Sequence, residues 1–206
     1  MAAGPGKCLE GGAGDIEAGV LKVQGDTLVR DRPGPDAAEI TELVAGFVDL
    51  AGSTALAARV SASDYARAMA EFRAVAVATV AAWGGRLVKV VGDGALFLAD
   101  DAGTGAAVAF ALIVACADHP ALPALRGGLA VGDVVLDGDD CFGLAVNLAA
   151  KAAAVARPGS VLATRDVLER LATKARPGPA VPDAGLFQLP DVVELFELDA
   201  AATPAR

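Results

Sequence analysis

The chain is poor in the side chains on which most acid-base and nucleophilic catalysis depends. It holds one histidine, His119, and three cysteines, Cys8, Cys116 and Cys141, which are far apart, odd in number and in no metal-ligand spacing. A histidine-based mechanism is excluded, and the cysteines read as free thiols rather than zinc ligands or a disulfide framework. In the string ADHP, His119 closes a helix and has a structural role. Positive charge is also scarce: 17 Lys and Arg stand against 26 Asp and Glu, a net charge of -9. Such a surface argues against neutralising nucleic-acid phosphates or docking on anionic lipid. A small anionic substrate remains open if metal carries the positive charge. Long apolar runs are missing too, since the longest, Ala106 to Ala117, is too short to cross a bilayer. The first residues lack the charged start and apolar stretch of a secretory signal. The expectation is a cytoplasmic protein with neither nucleic acid nor membrane as partner.

What is present is a core. Over 206 residues the 54% hydrophobic fraction supports one domain. Residues 1 to 40, rich in Gly, Pro and Asp, read as a poorly ordered extension with a small hairpin from Val20 to Val23 and Thr27 to Arg30. The domain is expected over 41 to 200, followed by a tail from 201 to 206. A strand ends at Asp49 or Leu50, and Gly52, Ser53 and Thr54 open a helix. Ser61 and Asp64 have capping-box spacing, and Tyr65, Met69, Phe72, Ala76, Thr79 or Val80, and Trp83 then recur at helical spacing. RLVKVV and ALFLAD flank a GDG turn as in a hairpin, followed by a helix over Ala106 to Cys116 and, over Arg126 to Leu136, one long strand or two merged by Gly132. Leu144 to Ala156 is helical, Val161 to Ala163 a strand, Asp166 to Thr173 a helix, and Leu186 to Leu189 with Glu194 to Leu198 a terminal strand pair. The order implies an α+β fold, an antiparallel sheet with helices packed on one face.

Several polar residues stand out against this apolar background. Asp49 and Asp93 both sit where a strand stops beside glycines, a position from which carboxylates can converge on a hard divalent cation. Taken singly, Asp93 is a preferred hairpin residue and Asp49 a capping or solvated acid. Free N–H groups at Gly52, Ser53 and Thr54 would suit a phosphate. Lys89 lies inside an apolar strand, where period-two alternation places it with Leu87 and Val91, opposite Val88 and Val90. Asn147 and Lys151, one helical turn apart, share a face.

Taken in order over about residues 45 to 165, FVDLAGST, GGRLVKVVGDGALF, GGLAVGDVV, DDCFGLAVNLAAK and ARPGSVLAT resemble the catalytic domain of class III adenylate/guanylate cyclases, most of all the soluble mycobacterial type. The resemblance implies a ferredoxin-like core and a head-to-tail homodimer with composite active sites. It implies two Mg2+ or Mn2+ ions per site on Asp49, Asp93 and the Leu50 carbonyl, with the substrate phosphates on Gly52, Ser53 and Thr54. It matches Lys89 and Asp140 to the pair that selects adenine, and Asn147 to the residue that orients the ribose and supports the transition state. The implied activity is an adenylyl cyclase that makes 3',5'-cyclic AMP and pyrophosphate from ATP. A guanylyl cyclase or a non-catalytic nucleotide-binding module is the alternative. Two departures stand out: Lys151 replaces the usual arginine and loses its planar fork, and Leu189 and Pro190 stand where a basic residue often holds the triphosphate.

Overall fold

The computed structural model describes residues 21–24, 27–30, 39–171, 176–177 and 193–199. The chain divides into two units, Met1–Ala37 and Ala38–Arg206. In the first, β1 (Leu21–Gln24) and β2 (Thr27–Arg30) pair antiparallel as the expected hairpin. The second contains β3 (Glu39–Leu50), α1 (Ser53–Ala57), α2 (Ala62–Ala82), β4 (Arg86–Val91), β5 (Gly94–Ala99), α3 (Ala102–Ala117), β6 (Leu125–Asp137) and β7 (Asp140–Phe142). It continues with α4 (Leu144–Val155), β8 (Val161–Thr164), α5 (Arg165–Leu171), β9 (Arg176–Pro177) and β10 (Leu195–Glu197). Leu186 to Leu189, Pro190 and the tail from 201 lie outside the described residues.

The local rules explain the element ends. Ser61 caps α2, accepting the Asp64 backbone N–H and sharing a hydrogen bond with the Asp64 carboxylate. Asp101 caps α3 by accepting from the Thr104 N–H and hydroxyl, which pulls its pKa below the ordinary value. That cap starts α3 four residues before the expected Ala106.

The sheet runs β4-β5-β3-β6-β8-β10-β9, with β7 pairing β6 beside that path. Alternation along β3 divides the core. Val44 and Val48 meet Phe97 of β5, Phe72 and Val80 of α2 and Val108 and Leu112 of α3. Ala45 turns the other way and packs with Leu96, Leu98, Ala130, Ala145 and Ala149.

The α+β class holds, but three details of the expectation do not. The sheet is mixed, because β6 and β8 pair in parallel, Gly127 to Val161 through Leu129 to Ala163. Parallel neighbours need a crossover between them, and α4 supplies it. Helices also cover both faces rather than one, with α2 and α3 on one side and α4 on the other. The polar stripe of α4, Asn147 and Lys151, shows which side of the helix is turned from the core but not which face of the sheet the helix covers. Finally, a bulge between Leu87 and Lys89 breaks the period-two pattern of β4. Leu87 and Val90 both face the α2/α3 core, whereas Val88 packs on the α4 side. Lys89, paired with Leu96, thus faces the α4 side and does not share a face with Leu87.

Candidate active site

Asp49 and Lys89 face the α4 side of the sheet, while Gly52 to Thr54 lead into α1, whose Leu56 packs with the α2/α3 core. In β3, Asp49 is the direct cross-strand partner of Gly94 on one side and of Arg126 on the other. The first pairing brings the β4–β5 turn, and with it Asp93, against the end of β3: the Leu50 N–H donates to the Asp93 carbonyl at 3.1 Å. Gly92 of that turn has φ +60°, a conformation suited to glycine. The two acids expected to act together are therefore neighbours.

Each acid already has a protein partner. The Ser53 hydroxyl, buried at the start of α1, donates to Asp93 Oδ2. Asp49 receives the fork of Arg126, with Nε to Oδ1 and Nη2 to Oδ2 both at 2.9 Å. The third arm of the guanidinium, Nη1, donates to the Ala154 carbonyl near the end of α4 at 2.7 Å. Donation to Asp49 holds Arg126 above its ordinary pKa; the charges of Asp49 and Asp93 add to this, against the lowering by burial. The sequence reading missed Arg126. Its signal was an arginine heading the otherwise apolar run LRGGLAV, a place where an unpaired charge is costly.

A second cluster joins β4 to β7. Lys89 Nζ donates to Asp140 Oδ1 at 2.5 Å, and the same oxygen accepts the Cys141 N–H at 2.7 Å. The pair matched to base selection thus meets across the sheet, which the β4 bulge makes possible. Asn147 is exposed and Lys151 half-buried on α4, four residues apart. Gly52, Ser53 and Thr54 form the turn into α1, where Gly52 takes φ +82° and the Leu56 N–H returns to the Gly52 carbonyl. A cleft of about 360 Å³ lies near the opposite end of β3, lined by Glu39, Thr41 and Arg86 among others, and shares no residue with these clusters.

The donor set fits a hard cation. Two carboxylates with a backbone carbonyl beside them offer oxygen only, as Mg2+ or Mn2+ prefers. Among the described residues no group of three or more His, Cys, Asp and Glu converges, so water or substrate oxygens would complete the coordination. His119 stands apart, its Nδ1 accepting the Ala121 N–H and its Nε2 3.8 Å from Glu71.

Cys116 and Cys141 are buried free thiols. Burial pushes Cys116 up to about 11; burial and then the Asp140 charge raise Cys141, against Lys89 and Arg86. In a Cys8→Ser background at pH 8, both should react with a disulfide reagent at least about a hundredfold more slowly in the folded than in the urea-unfolded chain. Equal rates would show that these positions open readily.

No protein-family model matches the chain. An adenylate cyclase of Streptomyces coelicolor is 39% identical over 138 residues, 67% of this chain and 36% of that protein. The solved adenylyl cyclase CyaB from P. aeruginosa superposes with a TM-score of 0.67 at 18% identity, over 82% of this chain and 99% of that one. The Ala38–Arg206 unit of this chain has the class III nucleotide cyclase fold. The guanylyl cyclase Cya2 also matches, with a TM-score of 0.67 at 16% identity, over 78% of this chain and 92% of that one. This chain spans about a third of the length of the curated relatives it matches. Within the cyclase fold, the mixed sheet places Asp49, Lys89 and Asp140 on strands fixed by cross-strand pairing and Asp93 in the turn between β4 and β5. No helix among the described residues is long and apolar enough to cross a membrane.

Proposed function

We propose that this chain is an adenylyl cyclase that converts ATP to 3',5'-cyclic AMP and pyrophosphate at sites shared between two copies of itself. The observation that carries the reading is the paired placement of Asp49 with Asp93 and of Lys89 with Asp140 on one cyclase fold. Asp49, Asp93 and the Leu50 carbonyl would hold two divalent cations, Mg2+ or Mn2+, which supply acidification of the ribose 3'-hydroxyl and neutralisation of the triphosphate. Ser53 and Thr54 offer the N–H groups of a helix start to the phosphates. Asn147 orients the ribose, and Lys151 adds a positive charge on the same helix face.

Base choice follows from donor and acceptor count. Adenine presents an N6 amine that donates and an N1 that accepts, which suits the Asp140 carboxylate and the Lys89 ammonium. Guanine would set its O6 acceptor against the carboxylate, which favours ATP over GTP. Asp140→Ala should lower kcat/KM for ATP by about tenfold or more and reduce the ATP/GTP preference, because the amine loses its acceptor. An unchanged ratio of the two initial rates would discard Asp140 as a base reader.

The direct test incubates the purified protein with ATP and Mn2+ or Mg2+ at concentrations that support dimers and separates the products. Cyclic AMP with equimolar pyrophosphate, lost in Asp93→Ala, is the expected result. Nucleotide binding without turnover, unchanged by Lys151→Arg, would favour a regulatory module instead. Lys151 motivates that second reading, since a lysine lacks the fork that grips a phosphate through two bonds.

A further inference from the structure

Asp49 and Asp93 are both matched to metal, but they are not equally available. Asp93 commits Oδ2 to Ser53 and leaves Oδ1 without a protein partner among the described residues. Asp49 has a guanidinium on both oxygens, in the parallel two-bond geometry that is the strongest hydrogen-bonded ion pair a carboxylate makes. The side chains of Arg126 and Asp49 retain 27% and 19% of their exposure, so solvent and a hydrated cation can reach them. A bond to Mg2+ at about 2.0–2.1 Å requires a carboxylate oxygen to turn toward the ion, and a planar fork fixed to both oxygens resists that turn.

Resting on the metal reading of Asp49 and Asp93, we propose that Arg126 is a counter-ion that competes with metal for Asp49, and that cation binding at Asp49 is an exchange in which the guanidinium leaves. The fold supplies the reason for such a device. Asp49 is partly buried at the end of an apolar strand, where an unpaired carboxylate is costly. Arg126, its direct cross-strand partner, neutralises it. Because the same guanidinium holds the Ala154 carbonyl, the exchange also alters the end of α4, the helix that carries Asn147 and Lys151.

The test titrates Mg2+ into the full-length protein labelled with 15N and follows the arginine Nε–H resonances, that of Arg126 being identified by its loss in Arg126→Lys. The Arg126 signal should leave its ion-paired position in step with Mg2+ saturation. The Val155 amide, bonded to the Ala154 carbonyl carbon, should shift in the same titration. In parallel, Mn2+ affinity measured by electron paramagnetic resonance should be about tenfold tighter in Arg126→Gln, a fold-change that corresponds to about 1.4 kcal/mol. Saturation by Mg2+ with the Arg126 signal unmoved would mean that the ion binds around an intact pair, and the exchange would be wrong. Absence of saturable Mn2+ binding in both the wild type and Arg126→Gln would instead overturn the metal reading, and the exchange with it. The titration of the wild-type protein does not depend on any variant folding.

Discussion

An Asp93→Ala chain and an Asn147→Ala chain, each inactive alone, should recover about a quarter of wild-type activity when mixed in equal amounts. The loss in each single variant should be on the order of a thousandfold, because in the proposed mechanism Asp93 would hold a cation that bears transition-state charge and Asn147 would orient the reacting ribose. Random pairing makes about half of the dimers mixed, and each mixed dimer has one intact site and one doubly damaged site. Asp93 lies in the β4–β5 turn and Asn147 on α4, and the shared-site reading assigns these to different active sites. The check is a cyclic AMP assay over a range of mixing ratios, with maximum activity near equal amounts. Failure to recover would mean that each chain carries its own complete site or that no such site exists.

Gly128→Ala should be among the most damaging single-methyl changes available in the chain. A Cβ on Gly128 would stand 2.1 Å from the Ala149 carbonyl oxygen, 2.4 Å from the Ala153 nitrogen and 2.7 Å from the Ala152 Cβ. Two of those atoms are helix backbone, so no rotamer change relieves the contact, and α4 must lift from β6. Overpacking against backbone is expected to cost about 3 kcal/mol, the upper part of the range for such changes. For a domain of this size that lowers the melting temperature by about 10 °C. Activity should fall further than stability, because α4 carries Asn147 and Lys151 and touches Arg126 through Ala154. Thermal unfolding followed by circular dichroism, with activity assayed well below the transition, separates the two effects. A variant as stable as wild type would show that α4 can shift away at little cost.

The acids were legible because their surroundings are local: an apolar strand that ends in Asp49 and a GDG turn that carries Asp93, and the same holds for the helix cap at Ser61. Arg126 was not legible, since its meaning depends on a partner 77 positions away in the chain. Lys89 was placed on the wrong face for a related reason. Strand alternation is a local rule, and a bulge at Val88 cancels it without leaving a glycine or proline to mark the place.

The amino-acid sequence by itself determined the α+β class, the order of nearly all described elements and which carboxylates and amides are candidates for the chemistry. These follow from hydrophobic period, cap and turn residues and ordered motifs, each readable within a few residues. The tertiary structure alone decided which face each group occupies and which partner it meets. Cross-strand register set Asp49 against Arg126, the β4 bulge turned Lys89 toward Asp140, and Gly128 let α4 settle against the sheet beside both. Register and packing arise from contacts between distant segments, so no local pattern encodes them.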